Sequence, residues 1–81
     1  MNLKETVPMM ESADYKERFK AEYLQLEIRV NDLRNMLKKY KEGTLTFNPS
    51  CSYDLLNSQL KAMELYATYL EERAEIEEID L

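Results

Sequence analysis

The stretch FKAEYLQLEIRVNDLRNMLKKY, residues 19–40, decides the fold. Apolar and aromatic residues recur in it at alternating steps of four and three, the pattern of a helix that packs lengthwise against another helix. The pattern runs without a break through Phe19, Tyr23, Leu26, Val30, Leu33, Leu37 and Tyr40. The sequence therefore predicts one long helix with a continuous apolar seam.

Capping residues set the predicted boundaries of this helix and of a second one. Ser12 or Asp14 offers an N-cap, and Glu17, three residues after Asp14, completes a capping box. Gly43 follows a lysine-rich last turn, so the helix runs from about residue 13 to 42. A loop covers residues 43–51, and a second helix, capped by Ser50, Cys51 or Ser52, runs from about 52 to 78. Its seam again alternates steps of three and four, through Tyr53, Leu56, Leu60, Met63, Ala67, Leu70 and Ala74.

Folding the chain back at the loop pairs the two seams, with Tyr40 opposite Tyr53 and Phe19 opposite Ala74. Each helix also carries a second apolar stripe, and a helix that is apolar on two faces is buried on two faces. We expect another copy to cover these stripes, which are Ala21, Leu24 and Ile28 on the first helix and Leu55, Ala62, Tyr66, Tyr69 and Ile76 on the second. The predicted fold class is all-α, an antiparallel two-helix hairpin that assembles into an oligomeric helical bundle.

The domain organisation is simple. Residues 12–81 form the hairpin, whereas residues 1–11 show no period and contain Pro8, which predicts a flexible N-terminal arm. A chain of 81 residues buries only about 60% of its unfolded surface, so a lone monomer is marginally stable. With a single cysteine and no histidine, neither an internal disulfide nor a common zinc site is available, which favours a homo-oligomer of two or more chains.

Composition also excludes several classes of function. A net charge of −5 argues against binding to a nucleic-acid polymer, and no apolar run is long enough to span a membrane. A free Cys51 is typical of the cytoplasm. Without histidine, and with Gly43 as the only glycine, the chain lacks the usual catalytic base and phosphate-binding loop. We expect no enzyme, no cofactor and no metal site.

Aromatic and cationic side chains gather near the open end of the predicted hairpin. Aromatic faces stack on bases and arginine binds phosphate with two parallel hydrogen bonds, so this combination suits a small nucleotide. In the alternative interpretation the tyrosines pack in the core or an interface, and the cations pair with Glu75 and Glu77. The candidate ligand-binding residues here are Tyr15, Lys16, Arg18, Phe19, Tyr66, Tyr69 and Arg73.

The loop end offers a second candidate site. Thr44 and Phe47 lie before the second helix, where free backbone N–H groups favour an anion. In the alternative interpretation the loop is a strap that only caps the bundle.

Several motifs resemble a family of small phage-encoded helical hairpin proteins of crAss-like and related phages. They are DYKERFKAEY at 14–23, GTLTF at 43–47, Leu55-Leu56 with Gln59-Leu60, and RAEIE at 73–77. That family is loosely similar to phage sponge proteins, which oligomerise and sequester nucleotide messengers of the CBASS and Thoeris defences.

The resemblance implies an anti-defence sponge in the cytoplasm of the infected bacterial host. Such a protein binds cyclic oligonucleotides or cyclic ADP-ribose-type signals without degrading them. The alternative function is a structural or regulatory helical protein that binds a host or phage protein.

Overall fold

Two long antiparallel helices form the body of the molecule. The computed structural model describes all 81 residues: a 3₁₀ turn at Leu3–Thr6, α1 at Val7–Met10, α2 at Tyr15–Glu42 and α3 at Tyr53–Ile76. The chain is 43 Å in its longest dimension, close to the length of a 28-residue helix at about 1.5 Å per residue. The all-α class predicted from the seams is confirmed. None of the helices combines the length and the apolar character that a membrane span requires.

The long helices begin and end at capping residues. The Asp14 carboxylate accepts from the Lys16 N–H at 3.0 Å, and the Ser52 hydroxyl accepts from the Leu55 N–H at 3.1 Å. Gly43 adopts the left-handed conformation with φ of 74°, which glycine enters without steric cost. One detail differs from the predicted capping box: the Asp14 N–H donates to the Ser12 hydroxyl at 3.1 Å. Ser12 thus takes the role expected of Glu17.

The core lies along the contact between α2 and α3. At the loop end, the Tyr40 and Tyr53 rings meet edge to face with centroids 5.7 Å apart, as the predicted antiparallel register requires. Partly buried residues of the same seams, such as Leu33 and Met63, pack against this core. The buried core residues are Phe19, Leu26, Val30, Leu37, Leu60, Ala67, Leu70, Ala74 and Ile79.

The N-terminal segment differs from the sequence prediction. Residues 3–10 form the 3₁₀ turn and α1, both packed on α2, where a flexible arm was expected. The Asn2 side chain caps the turn by accepting from the Glu5 N–H at 3.0 Å. Pro8 stands in the first turn of α1, where its missing N–H has no helical partner to lose. Pro8 therefore helps to begin a helix.

This segment covers much of the second apolar stripe of α2. Thr6 is fully buried, and its hydroxyl accepts from the Gln25 side-chain amide at 3.1 Å. On the same helix face, Ala21 is fully buried and Leu24 and Ile28 are half-buried. On α2, therefore, the N-terminal segment of the same chain covers the second apolar stripe, for which the sequence predicts contact with another copy.

The C-terminus closes the open end of the hairpin. The helix α3 ends at Ile76, and Glu78 takes a left-handed conformation with φ of 58°. The turn lets the Ile79 N–H donate to the Ala74 carbonyl at 2.8 Å and buries the Ile79 side chain. This is the hydrogen-bond pattern of a Schellman cap, with Glu78 where glycine is usual.

Candidate functional site

Side chains from both long helices meet at the open end. Tyr15 and Phe19 lie one turn apart at the start of α2, and antiparallel packing places Arg73, in the last turn of α3, beside them. The guanidinium carbon of Arg73 lies 4.9 Å from the Phe19 ring centroid, within the range of a cation–π contact. The Tyr15 and Phe19 centroids are 6.2 Å apart. Together with Glu77, these residues are called the open-end cluster.

Hydrogen bonds join the cluster to the Glu77 carboxylate. The Tyr15 hydroxyl donates to one oxygen of Glu77 at 2.8 Å, and Arg73 Nε donates to the other at 3.4 Å. Arg73 also donates through Nη2 to the Tyr15 hydroxyl at 3.0 Å. The cluster therefore presents two converging donors, and a single anionic group accepts from both of them.

The pKa of Tyr15 supports this donor role. The hydrogen bond to Glu77 is the main cause that raises the pKa of Tyr15 above its ordinary value. A tyrosine is protonated near neutral pH at its ordinary pKa of 10.0, and the shift extends the donor role of this phenol to higher pH. Arg73 is charged at any physiological pH.

Three predicted site residues, of which Phe19 belongs to the cluster, make structural contacts. Phe19 is a core residue, so its ring supports Arg73 from below and offers no free face for a nucleobase. The Lys16 ammonium donates to the Glu78 carbonyl at 3.3 Å and ties α2 to the C-terminal turn. Arg18 donates to the Ser12 carbonyl at 2.9 Å and so contacts the turn before α2.

The two predicted tyrosines of α3 precede Arg73 in that helix. The Tyr66 hydroxyl is hydrogen-bonded to the Glu22 carboxylate across the two helices. Tyr69 is exposed one turn before Arg73. The alternative interpretation thus holds for Arg73, which pairs with Glu77, whereas Tyr69 remains open to solvent.

The loop-end candidate lies at the opposite end of the hairpin. The Thr44 hydroxyl and N–H both donate to the Lys39 carbonyl, at 3.4 and 2.9 Å, and close the C-terminus of α2. Phe47 is exposed and lines a shallow groove of about 360 Å³ with Tyr40 and other residues of the loop. Because the helices are long, residues of the two ends within one chain cannot share a small ligand.

A second groove was missed by sequence reasoning. It has a volume of about 340 Å³ and lies where Leu3 of the N-terminal turn approaches α2 and α3. A flexible arm has no fixed position on the helices, so its prediction excluded a groove here. Two features of the sequence are typical of an ordered segment: Asn2 as a helix cap and Pro8 in the first turn of a helix. Its other lining residues are Arg29, Asp32, Leu33, Met36, Gln59 and Met63.

Comparison with known proteins assigns the chain to a family. No curated protein and no solved structure matches the sequence. The model of the Sequestin family, in contrast, matches residues 13–76, most of the chain. The matched stretch contains α2, the loop and α3, and it includes Tyr15, Phe19 and Arg73 of the open-end cluster. By this match, the chain belongs to the Sequestin family.

Proposed function

We propose that this protein is a sponge that binds and sequesters a small anionic nucleotide at the open end of the hairpin without degrading it. The family name denotes sequestration of a molecule, which supports a function of tight binding. Nucleotide signals of bacterial antiviral defence, such as cyclic oligonucleotides or cyclic ADP-ribose-type molecules, have the required chemistry: phosphates for arginine and bases for tyrosine.

The observation that carries this proposal is the hydrogen bonding around Glu77. In the free protein, Tyr15 and Arg73 donate to one carboxylate. A phosphate group offers acceptor oxygens at a similar spacing and carries a negative charge, so it suits the same two donors. Glu77 follows the end of α3 and is partly exposed, so its side chain is free to move away when a ligand phosphate takes its place.

Exposed aromatic rings near these donors supply the base-binding part of the proposed site. Tyr15 belongs to the cluster itself, and Tyr69 precedes Arg73 by one helical turn. Both rings are exposed, so a base is able to stack on either one. Lys16 adds positive charge at the same end of the hairpin.

The test is capture and intact release. The purified protein is titrated with each member of a panel of cyclic dinucleotides, cyclic trinucleotides and cyclic ADP-ribose isomers, and the affinity is measured by calorimetry. The protein is then denatured by heat, and the released molecule is identified by chromatography. Recovery of an unchanged nucleotide supports sequestration, whereas recovery of a cleaved product contradicts it.

A matched pair of arginine variants tests the position of the site. Arg73 and Arg34 are both about half exposed and each pairs with a glutamate, but Arg34 lies mid-helix and binds Glu64 at 3.0 Å. Arg73→Ala should weaken capture about ten-fold or more, because a charge-assisted hydrogen bond to phosphate is lost. Arg34→Ala should leave capture unchanged.

Two other results would place the site elsewhere or contradict the proposed function. Loss of capture in Phe47→Ala or Thr44→Ala, with Arg73→Ala unaffected, would place the ligand at the loop end. If no nucleotide of the panel binds, the alternative function of docking a host or phage protein is favoured.

A further inference from the structure

The buried Phe19 ring lies beneath the exposed guanidinium of Arg73 in the open-end cluster. The guanidinium carbon is over the ring, 4.9 Å from its centroid, where the negative face of the ring attracts the positive charge. Phe19 is only 3% exposed, whereas the Arg73 side chain is 52% exposed. A ligand is therefore able to contact Arg73 but not the ring, so any effect of the ring on binding acts through Arg73.

The helical register places the ring at this position. Phe19 belongs to the seam of α2, and it is buried in the same core as Ala74 of α3. Arg73 comes directly before Ala74, so its side chain begins at the edge of this core. The packing that fixes the ring thus also places a charged group above it.

The contact with the ring occupies none of the hydrogen-bond donors of Arg73. Nε donates to the Glu77 carboxylate at 3.4 Å, and Nη2 donates to the Tyr15 hydroxyl at 3.0 Å. The third nitrogen, Nη1, has no hydrogen-bond acceptor within the chain. Because the ring attracts the charge and accepts no hydrogen bond from it here, all three nitrogens are available to an anionic ligand.

The contacts of Arg73 differ in whether they persist when a ligand binds. In the proposed function a phosphate takes the place of the Glu77 carboxylate, so the ion pair with Glu77 is lost. That pair is exposed and 3.4 Å long, and exposed pairs of this kind contribute little to fixing a side chain. The Phe19 ring, in contrast, is held in the core and stays in place with or without a ligand.

We propose that Phe19 is a positioning residue of the nucleotide site, which holds the Arg73 guanidinium in place while a phosphate replaces Glu77. This inference rests on the proposed function. An arginine side chain loses rotamer entropy when a ligand fixes it, and this loss weakens binding. Since the ring already restricts Arg73, less entropy remains to be lost. Phe19 thus raises the affinity without contacting the ligand.

The first test needs no ligand. Glu77→Ala removes the carboxylate and keeps the ring, as the proposed exchange does. NMR relaxation of the Nε–H group measures how far the Arg73 side chain is ordered. In Glu77→Ala, Arg73 should remain more ordered than Arg29, which is an exposed arginine without an ion pair.

A change in the ring alone then tests its role. Replacing Phe19 by pentafluorophenylalanine in the Glu77→Ala variant changes the size of the ring little, but the fluorines withdraw electron density from its face and remove the attraction for a cation. Arg73 should become as mobile as Arg29. The control is the same replacement at Phe47, the other phenylalanine of the chain, which lies at the loop end and should leave Arg73 ordered.

A double-mutant cycle tests the consequence for binding. Capture is measured with the member of the cyclic nucleotide panel that wild type binds most tightly. Pentafluorophenylalanine at position 19 should weaken its capture about three- to ten-fold, in the range of a cation–π contact. In Arg73→Ala the same replacement should cause no further loss. A role in packing alone, or through the Tyr15 ring at 6.2 Å, would give the same loss in both backgrounds.

Three results would overturn the proposal: an Arg73 as mobile as Arg29 in Glu77→Ala with the ring intact, an Arg73 that stays ordered over the fluorinated ring, or equal losses of capture in both backgrounds. Failure of the proposed function is distinguishable from these results. If wild type captures no nucleotide of the panel, the nucleotide site is rejected, and the mobility of Arg73 still decides whether the ring holds it.

Discussion

The Tyr40 and Tyr53 rings meet edge to face, with their planes at 74° and their centroids 5.7 Å apart. Tyr40 is the last residue of the α2 seam and Tyr53 is the first of the α3 seam, so this contact sets the register beside the loop. From there the helical repeat carries Leu26 to the level of Ala67 at the middle of the core. Large and small side chains thus face each other along the hairpin.

The register predicts the effect of filling the space at Ala67. Ala67→Phe should lower the free energy of unfolding by about 1–3 kcal/mol, because a well-packed core has no room for a ring. Urea denaturation followed by circular dichroism measures the change. The control is Thr68→Phe, which adds a ring at the neighbouring exposed position and should be nearly neutral. Equal stability of Ala67→Phe and wild type would mean that the helices pair differently.

The packed N-terminal segment predicts a role for the buried Thr6 hydroxyl. It donates to the Leu3 carbonyl at 2.6 Å and accepts from Gln25 at 3.1 Å. Thr6→Val keeps the shape but leaves these groups unpaired, which should cost about 1–3 kcal/mol of stability. Thr46→Val, at an exposed loop threonine, should change stability by less than about 0.5 kcal/mol. If the two variants have equal unfolding midpoints in urea, the segment is a flexible arm after all.

The left-handed conformation of Glu78 predicts a stabilising substitution. With φ of 58°, a side chain is strained there and glycine is not, so Glu78→Gly should raise stability by about 1 kcal/mol. Glu75→Gly makes the same exchange within the last turn of α3 and should lower stability by about 1 kcal/mol. Thermal unfolding of the two variants should shift in opposite directions. A fall in both midpoints would show that the C-terminal turn does not form.

The environment of Tyr23 predicts a loss of stability at high pH. Burial, aided by the hydrogen bond to Glu71 at 2.8 Å, raises the pKa of Tyr23 to about 12 from an ordinary value of 10.0. Between these values the unfolded chain releases the Tyr23 proton while the folded chain keeps it. Stability from this group is therefore complete below pH 10.0 and is lost as the pH rises towards about 12.

Tyr23→Phe should remove this contribution to the pH dependence. The difference in urea midpoint between wild type and variant should be constant up to pH 10.0 and should change steadily above it. Ultraviolet absorbance of the tyrosinate should show one fewer late-titrating phenol in the variant. Parallel stability curves for the two proteins across the alkaline range would contradict this environment for Tyr23.

The position of Glu77 predicts a variant that binds its ligand more tightly. The carboxylate accepts from the donors that the proposed phosphate would use, so it competes with the ligand. Glu77→Gln removes the charge and should strengthen nucleotide capture by about ten-fold, the value of roughly one charge-assisted hydrogen bond. Glu75→Gln removes an equal charge two residues earlier, at a side chain with no hydrogen bond to the cluster, and should have a smaller effect. Weaker capture by Glu77→Gln would show that Glu77 helps to bind the ligand.

The sequence alone determined the hairpin. Seven seam positions in each helix, with Asp14 and Gly43 at the ends of the first, specify the approximate helix lengths and the register, because helical spacing and capping are local properties. The structure selects Ser52 as the cap of the second helix from Ser50, Cys51 and Ser52. The convergence of Tyr15 and Arg73 at one end also followed from this register. The hydrogen bonds of Tyr15 and Arg73 with Glu77 did not follow from the register, because a helix pattern does not specify side-chain rotamers.

Only the tertiary structure decided what happens at the two chain ends. The N-terminal residues have no period, yet Thr6 is buried, because the apolar face of α2 gives a short segment a surface on which to pack. At the C-terminus, burial of Ile79 holds Glu78 in a conformation that its own side chain disfavours. In both places long-range packing outweighs local preference. It therefore decides that the chain itself covers the second apolar stripe of α2 and leaves that of α3 exposed.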